Sequence, residues 1–289
     1  MSGERFSDRL IDAVRSLGAP TCVGLDPVVE KLPTSLKSGD PVAGIEEFCR
    51  GVLGAVSGVC PIVKVQSACF ERYGAAGVGC LERLIAEARR LGLLVLLDAK
   101  RGDIGISAEH YAHAGLGTDD APRADAMTVN GYLGADAVEP FLRPGRGVFV
   151  LVRTSNPGSD GVQSVRLADG RTVAELMADQ VVALGSARIG RHGYSDVGAV
   201  VGATKAEDGR ALRARMPRQI FLVPGYGAQG GTADDIRALV DGRPECGGGV
   251  LVTASRSVIY AFDPDDRAWW KAVARAALKF GDEIRTVVG

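Results

Sequence analysis

Short apolar runs alternate along the chain with longer segments in which apolar residues recur at helical spacing. The runs fall at residues 21–25, 61–65, 93–97, 126–129, 148–152, 198–201, 220–223 and 249–252. Continuous apolar runs of this length predict strands buried on both faces, as in a parallel sheet covered by helices. Between them, residues 45–56, 81–91, 172–184 and 233–240 carry a helical pattern, and 268–279 close the chain with helical composition. Residues 6–17 place Phe6, Leu10, Ile11, Val14 and Leu17 on one face, which predicts an extra helix ahead of the first strand. Alternating β–α units with right-handed crossovers predict an α/β fold: a single (β/α)8 TIM barrel spanning residues 1–289, with that helix added at its N-terminal end. A doubly wound open sheet is the other architecture such alternation allows, but no G-x-G-x-x-G follows the first strand.

Polar residues cluster where the strands end. Asp26, Lys64, Asp98, Lys100, Asn130, Thr154, Ser155, Thr204, Gln229 and Arg256 all sit at or just after a strand's C-terminal end. In a barrel these positions converge on one face, where active sites form. The densest group is Asp98-Ala99-Lys100-Arg101-Gly102-Asp103, which closes the run Leu93–Leu97. Residues two apart in a strand share a face, so Asp98 and Lys100 point the same way. Charges at the mouth of an apolar strand are costly unless paired, and catalysis is a common reason to keep them there. An ion-pair network on the rim is the alternative. Lys64 lies inside another strand-like run, alternating with Ile62 and Gln66 away from Val63 and Val65. It either reaches solvent along its stem or joins the Asp98 group.

Bulk properties narrow the function classes. The chain has 289 residues and a formal net charge of −1. Near-neutral charge disfavours a nucleic-acid or polybasic membrane surface. The cysteines are scattered without a C-x-x-C pair, in surroundings typical of buried free thiols. His110 and His113 lie one helical turn apart, the spacing of a solvated helix face as well as of a ligand pair. The first residues form no signal-peptide core, and no apolar run is long enough to span a bilayer. A cytoplasmic setting is the expectation.

The run D-A-K-R-G-D-I-G at 98–105, with V-K-V-Q at 63–66 upstream, resembles orotidine 5′-phosphate decarboxylases, and within that family their longer bacterial branch. Further matching stretches follow in order: V-G-L-D at 23–26, T-V-N at 128–130, R-T-S-N-P-G at 153–158, V-V-G-A-T at 200–204, P-G-Y-G-A-Q-G-G at 224–231 and A-S-R-S-V-I-Y-A at 254–261. The resemblance implies a cofactor-independent enzyme that converts orotidine 5′-phosphate to uridine 5′-phosphate and CO2 in pyrimidine biosynthesis. It also implies a homodimer with shared active sites, and no metal.

The residue roles below come from the same resemblance. Lys100 stabilises and protonates the ring carbanion, and Asp98 faces the departing carboxylate. Lys64 and Asp103 complete an alternating Lys–Asp–Lys–Asp array, in which carboxylate neighbours keep each lysine charged. Asp103 and Ile104 reach into the partner subunit's site. Asp26 accepts the ribose hydroxyls, although an Asx-turn before Pro27 would also suit an aspartate there. Ser155 bonds the pyrimidine, with Asn130 and Thr154 beside it. Pro224, Gln229, Gly230 and Arg256 hold the phosphate, with glycine letting the backbone approach an anion closely. Gly131 stands where this branch has proline, which allows a looser loop.

Two rivals share parts of this pattern. Magnesium-dependent phosphosugar enzymes on the same barrel keep Asp-x-Lys-x-x-Asp but carry glutamate at the position of Lys64, where a lysine repels the metal. A non-catalytic nucleotide-binding barrel needs the phosphate loops but not the interleaved lysines.

Overall fold

In the computed structural model, which describes residues 4–37, 39–118, 123–204, 206–227 and 230–289, eight parallel strands close into a barrel in sequence order, β1 to β8. The strands are β1 (Thr21–Leu25), β2 (Ile62–Gln66), β3 (Leu94–Arg101), β4 (Ala126–Val129), β5 (Gly147–Arg153), β6 (Ser195–Val201), β7 (Gln219–Val223) and β8 (Val250–Ala254). β8 pairs with β1 through Thr21 and Val252, so no edge remains. Every predicted strand is present within two or three residues of its expected ends, except that β3 runs on to Arg101. Its charged end stays in the sheet because Gln66 pairs with Asp98 on one side and Val129 with Arg101 on the other.

The helices of five or more residues are α1 (Phe6–Leu17), α2 (Pro41–Val56), α3 (Gly74–Arg90), α4 (Gly105–Leu116), α5 (Val173–Gly185), α6 (Ala206–Arg215), α7 (Ala233–Arg237) and α8 (Trp269–Val288). Local chemistry sets several of their ends. Asp40 accepts the Ala43 N–H at 3.0 Å with Pro41 in the first turn of α2, and Thr172 and Glu175 form a reciprocal capping box on α5. Gly18, in the left-handed region, ends α1. α7 stops earlier than its apolar pattern suggests, and α8 runs nine residues past the expected 279. After β4 the connection carries a 3-10 turn, Glu139–Phe141, in place of a full helix; Pro140 and Pro144 interrupt this stretch. No helix among the described residues is long and apolar enough to cross a membrane.

The core has two layers. One lies between the strands and the surrounding helices. The other fills the barrel, where Ile62, Leu96, Phe149, Ile220 and Leu251 meet Phe6, Leu10, Ile11 and Val14 of α1. The extra helix therefore plugs the N-terminal mouth. Phe6 meets Phe149 edge-on at 6.1 Å, and a Cβ on Gly147 would come within 2.2 Å of the Phe6 ring. At its N-terminus α1 has no side-chain cap from its own N-cap residue, Arg5. Asp196 of β6 takes that role, accepting the Ser7 N–H at 2.9 Å and the Ser7 hydroxyl at 3.0 Å. With one mouth sealed, the C-terminal mouth is the open end.

Phe6→Ala removes the ring that seals this mouth. It should destabilise the protein by about 3–5 kcal/mol, read as a lowered urea midpoint at unchanged slope. A loss below about 1 kcal/mol would show that the barrel interior does not depend on the plug.

Candidate active site

A cavity of about 810 Å³ opens at the C-terminal mouth of the barrel. At its floor, Asp98 is 6% exposed and lies between two ammonium groups. Lys64 Nζ is 3.1 Å from Asp98 Oδ2 and Lys100 Nζ is 2.6 Å from Asp98 Oδ1. Lys64 is also 3.1 Å from Asp26 Oδ1, so one ammonium bridges two carboxylates. Asp98 also accepts two hydrogen bonds, from Gln66 Nε2 at 3.2 Å and from the Thr128 hydroxyl at 2.8 Å. The sheet produces this arrangement directly: Lys64 and Gln66 alternate on the inner side of β2, and the end of β3 lies beside them.

Electrostatics keeps the array charged. Burial pushes the Asp98 carboxyl toward protonation, but Lys64, Lys100 and the Thr128 hydroxyl outweigh it and bring its pKa down to about 2. Burial likewise works against the Lys64 ammonium. Asp26 and Asp98 more than offset that, and Lys64 holds its proton well above the ordinary lysine range.

The upper wall is built by the loops after β5, β7 and β8. Thr154 is fixed by Gln163, whose Oε1 accepts the Thr154 N–H at 2.8 Å and whose Nε2 donates to the Thr154 hydroxyl at 2.9 Å. Buried Arg153 anchors the same loop through Ser159 at 2.8 Å and Asp208 at 2.7 Å, and pairs with Asp160. The Tyr260 hydroxyl accepts the Val28 N–H at 2.8 Å and donates to the Asp26 carbonyl at 3.1 Å, tying the segment after β8 to the end of β1. Arg256 lines the rim, exposed, and its guanidinium makes no hydrogen bond or ion pair among the described residues.

Of the residues singled out in the sequence, Asp26, Lys64, Asp98, Lys100, Asn130, Thr154, Ser155, Pro224 and Arg256 all line this one cavity. Asp103 and Ile104 do not. Asp103 Oδ1 accepts the Ile104 N–H at 2.8 Å, and Ile104 is 60% exposed. Gly230 donates its N–H to the Gly227 carbonyl at 3.0 Å and is not part of the cavity wall. Gln229 lies outside the described residues. The loop at Gly131 is not loose: Gly131 is buried, and a Cβ there would meet Met177 Cε at 2.7 Å and Val150 Cγ1 at 2.9 Å. Gln66 and Thr128 are site residues that the sequence reading does not single out. The alternation with Lys64 was a usable signal for Gln66; Thr128 carried none beyond its place at the end of β4.

Fold and cavity together define a barrel enzyme with interleaved lysines and aspartates at its C-terminal mouth. Residues 20–269 match the model of the orotidine 5′-phosphate decarboxylase / HUMPS family. The orotidine 5′-phosphate decarboxylase of Rhodopirellula baltica is 41% identical, covering 97% of this chain and 99% of its own length. That of Roseiflexus sp. is 42% identical over 92% of each chain. Among solved structures, a Streptomyces avermitilis chain assigned as the same decarboxylase superposes with a TM-score of 0.84 at 39% identity, covering 100% of this chain and 97% of that one. The Leishmania donovani OMP decarboxylase gives 0.75 at 31% identity, covering 98% of each. The chain belongs to the orotidine 5′-phosphate decarboxylase / HUMPS family and is an enzyme of it.

The acidity of Asp98 makes a stability prediction with a definite sign. Its pKa falls on folding from 3.8 to about 2, so its charged form stabilises the fold above pH ~4 and that contribution fades as pH drops toward 2. The shift corresponds to roughly 2 kcal/mol. Between pH 6 and pH 3, wild type should lose stability relative to Asp98→Asn by about 1–2 kcal/mol in denaturant titrations. Parallel pH dependence of the two proteins would show that Asp98 is not held ionised by its neighbours.

Proposed function

We propose that this chain converts orotidine 5′-phosphate to uridine 5′-phosphate and CO2, a step of pyrimidine biosynthesis, without a metal ion or organic cofactor. One observation carries the reading: a buried carboxylate clamped between two ammonium groups, at the floor of a cavity whose rim presents an exposed arginine. In this reading the substrate carboxylate lies against Asp98. The bond from the ring to that carboxylate breaks, its electron pair stays on the ring carbon, and CO2 departs. Lys100 stabilises the developing charge and donates an Nζ proton to that carbon, later regaining one from solvent. Preorganised cations of this kind act where water is excluded and need little reorganisation during reaction.

Lys64 holds Asp26 and Asp98 apart and in place, and Asp26 accepts the ribose hydroxyls. Asn130, Thr154 and Ser155 face the pyrimidine. Pro224, Gln229, Gly230 and Arg256 hold the phosphate, Arg256 through a bidentate pair. The position of Lys64 favours this reading over a magnesium-dependent phosphosugar reaction. Its ammonium, 3.1 Å from both Asp26 and Asp98, fills the place between carboxylates where a divalent cation would bind.

Asp103 and Ile104 contribute to the site of a second subunit. In support, Ile104, Ile106, Tyr132 and Leu133 are all more than half exposed, a concentration of large apolar side chains beside the cavity mouth that suits a protein interface.

Spectrophotometric loss of orotidine 5′-phosphate tests the reaction directly. Turnover should be unchanged by thorough chelation, and Lys100→Ala should lower it by at least about 10²–10⁴-fold with the fold intact. A magnesium requirement would favour the phosphosugar reading, and a Lys100→Ala protein within tenfold of wild type would remove Lys100 from proton transfer.

A mixing experiment tests the shared site. Inactive Lys100→Ala and Asp103→Ala proteins, allowed to exchange subunits, should regain activity, because one site of the mixed dimer then holds both native groups. No recovery after verified exchange would place Asp103 outside the partner's site.

A further inference from the structure

Lys100 is the one non-glycine residue with positive φ among the described residues, at +46°. Left-handed backbone is unfavourable for a side chain with a Cβ, and it persists only where the surroundings enforce it. The cause lies in the sheet. β3 and β4 pair at Leu97 with Met127 and next at Arg101 with Val129, so three residues of β3 stand opposite Thr128 alone. Such a bulge leaves strand N–H groups without a carbonyl across the ladder.

Thr128 resolves this with its side chain. It is 1% exposed, and its Oγ1 accepts the Lys100 N–H at 2.9 Å while donating to Asp98 Oδ1 at 2.8 Å. One hydroxyl therefore fixes the backbone of Lys100 and the carboxylate that its ammonium touches at 2.6 Å. The Asn130 N–H, bonded to the Arg101 carbonyl at 2.7 Å, closes the far side of the bulge.

We infer that Thr128 is a positioning residue: its hydroxyl holds Lys100 in the left-handed conformation that aims the ammonium at the reacting carbon. The inference rests on the proposed decarboxylation, and it deepens it. In this inference Thr128 acts through Lys100 and Asp98, not on the reacting atoms. Its loss should leave substrate binding by the β5, β7 and β8 loops largely intact and act on the chemical step.

The test compares Thr128→Val, which keeps shape and removes the hydroxyl, with Thr128→Ser, which keeps the hydroxyl. Thr128→Ala serves if the valine protein does not fold, and the same outcome is expected of it. Thr128→Val should lower kcat about 10²-fold with KM within about threefold, and Thr128→Ser should recover to within about tenfold of wild type. Crystal structures of the variants give a readout independent of activity. The valine protein should show Lys100 φ leaving the positive region or its Nζ drawn away from Asp98; the serine protein should show neither. An unchanged Lys100 in the valine structure, an unchanged kcat, or a serine protein as slow as the valine one would each overturn the inference. If wild type itself fails to consume orotidine 5′-phosphate, the proposed function falls, and the structures alone decide the role of Thr128.

Discussion

Asp98 sits 2.6 Å from one ammonium and 3.1 Å from another, almost out of reach of water. No carboxylate is stable in such a place alone, and neither is Lys64, whose side chain is 8% exposed. The charges are tolerable only together. Remove Asp98 and buried Lys64 keeps one of its two counterions while Lys100 loses its own; remove Lys64 and the Asp26 and Asp98 carboxylates face each other. The rest of the site follows from keeping this set in register. Lys64 needs Asp26 at the end of β1, Asp98 needs Gln66 from β2 and Thr128 from β4, and four neighbouring strands supply them in one layer.

The barrel makes that precision affordable by separating stability from chemistry. α1 and the apolar interior close the N-terminal mouth, where the ionic groups anchor structure: Asp125, 2% exposed, accepts the Val95 N–H at 3.0 Å and pairs with Arg9 at 2.7 Å. The C-terminal mouth carries the bulge, the left-handed lysine and the exposed arginine, features that lower local stability in exchange for geometry. Anchors such as Arg153 and Tyr260 keep the loops that form the cavity wall from drifting.

Much of this was legible in the sequence because the strands are buried on both faces. Runs such as Val148–Val152 need no partner to be recognised, and β4 and β1 match their predicted limits. The charged end of β3 was harder. Its continuation to Arg101 depends on pairing with Gln66 and Val129, contacts remote in sequence, and the left-handed Lys100 depends on a bulge that no local pattern marks. The expected helix after β4 gave way to a 3-10 turn in a stretch rich in proline and glycine. The polar residues ending β1, β2, β3, β5 and β8 were legible as one site because barrel geometry forces strand ends to converge. Asp103 and Ile104 were legible only through family resemblance, since within one chain they do not line the cavity.

The account stands on Lys64 remaining an ammonium because two carboxylates hold it. Side-chain 15N NMR of lysine-labelled protein, titrated upward from pH 7, reads this directly. The Lys64 Nζ resonance should keep its ammonium shift through pH 10.5, the ordinary lysine pKa. Deprotonation of Lys64 below that pH would mean that burial outweighs Asp26 and Asp98, and the charged array proposed for the chemistry would not exist as described.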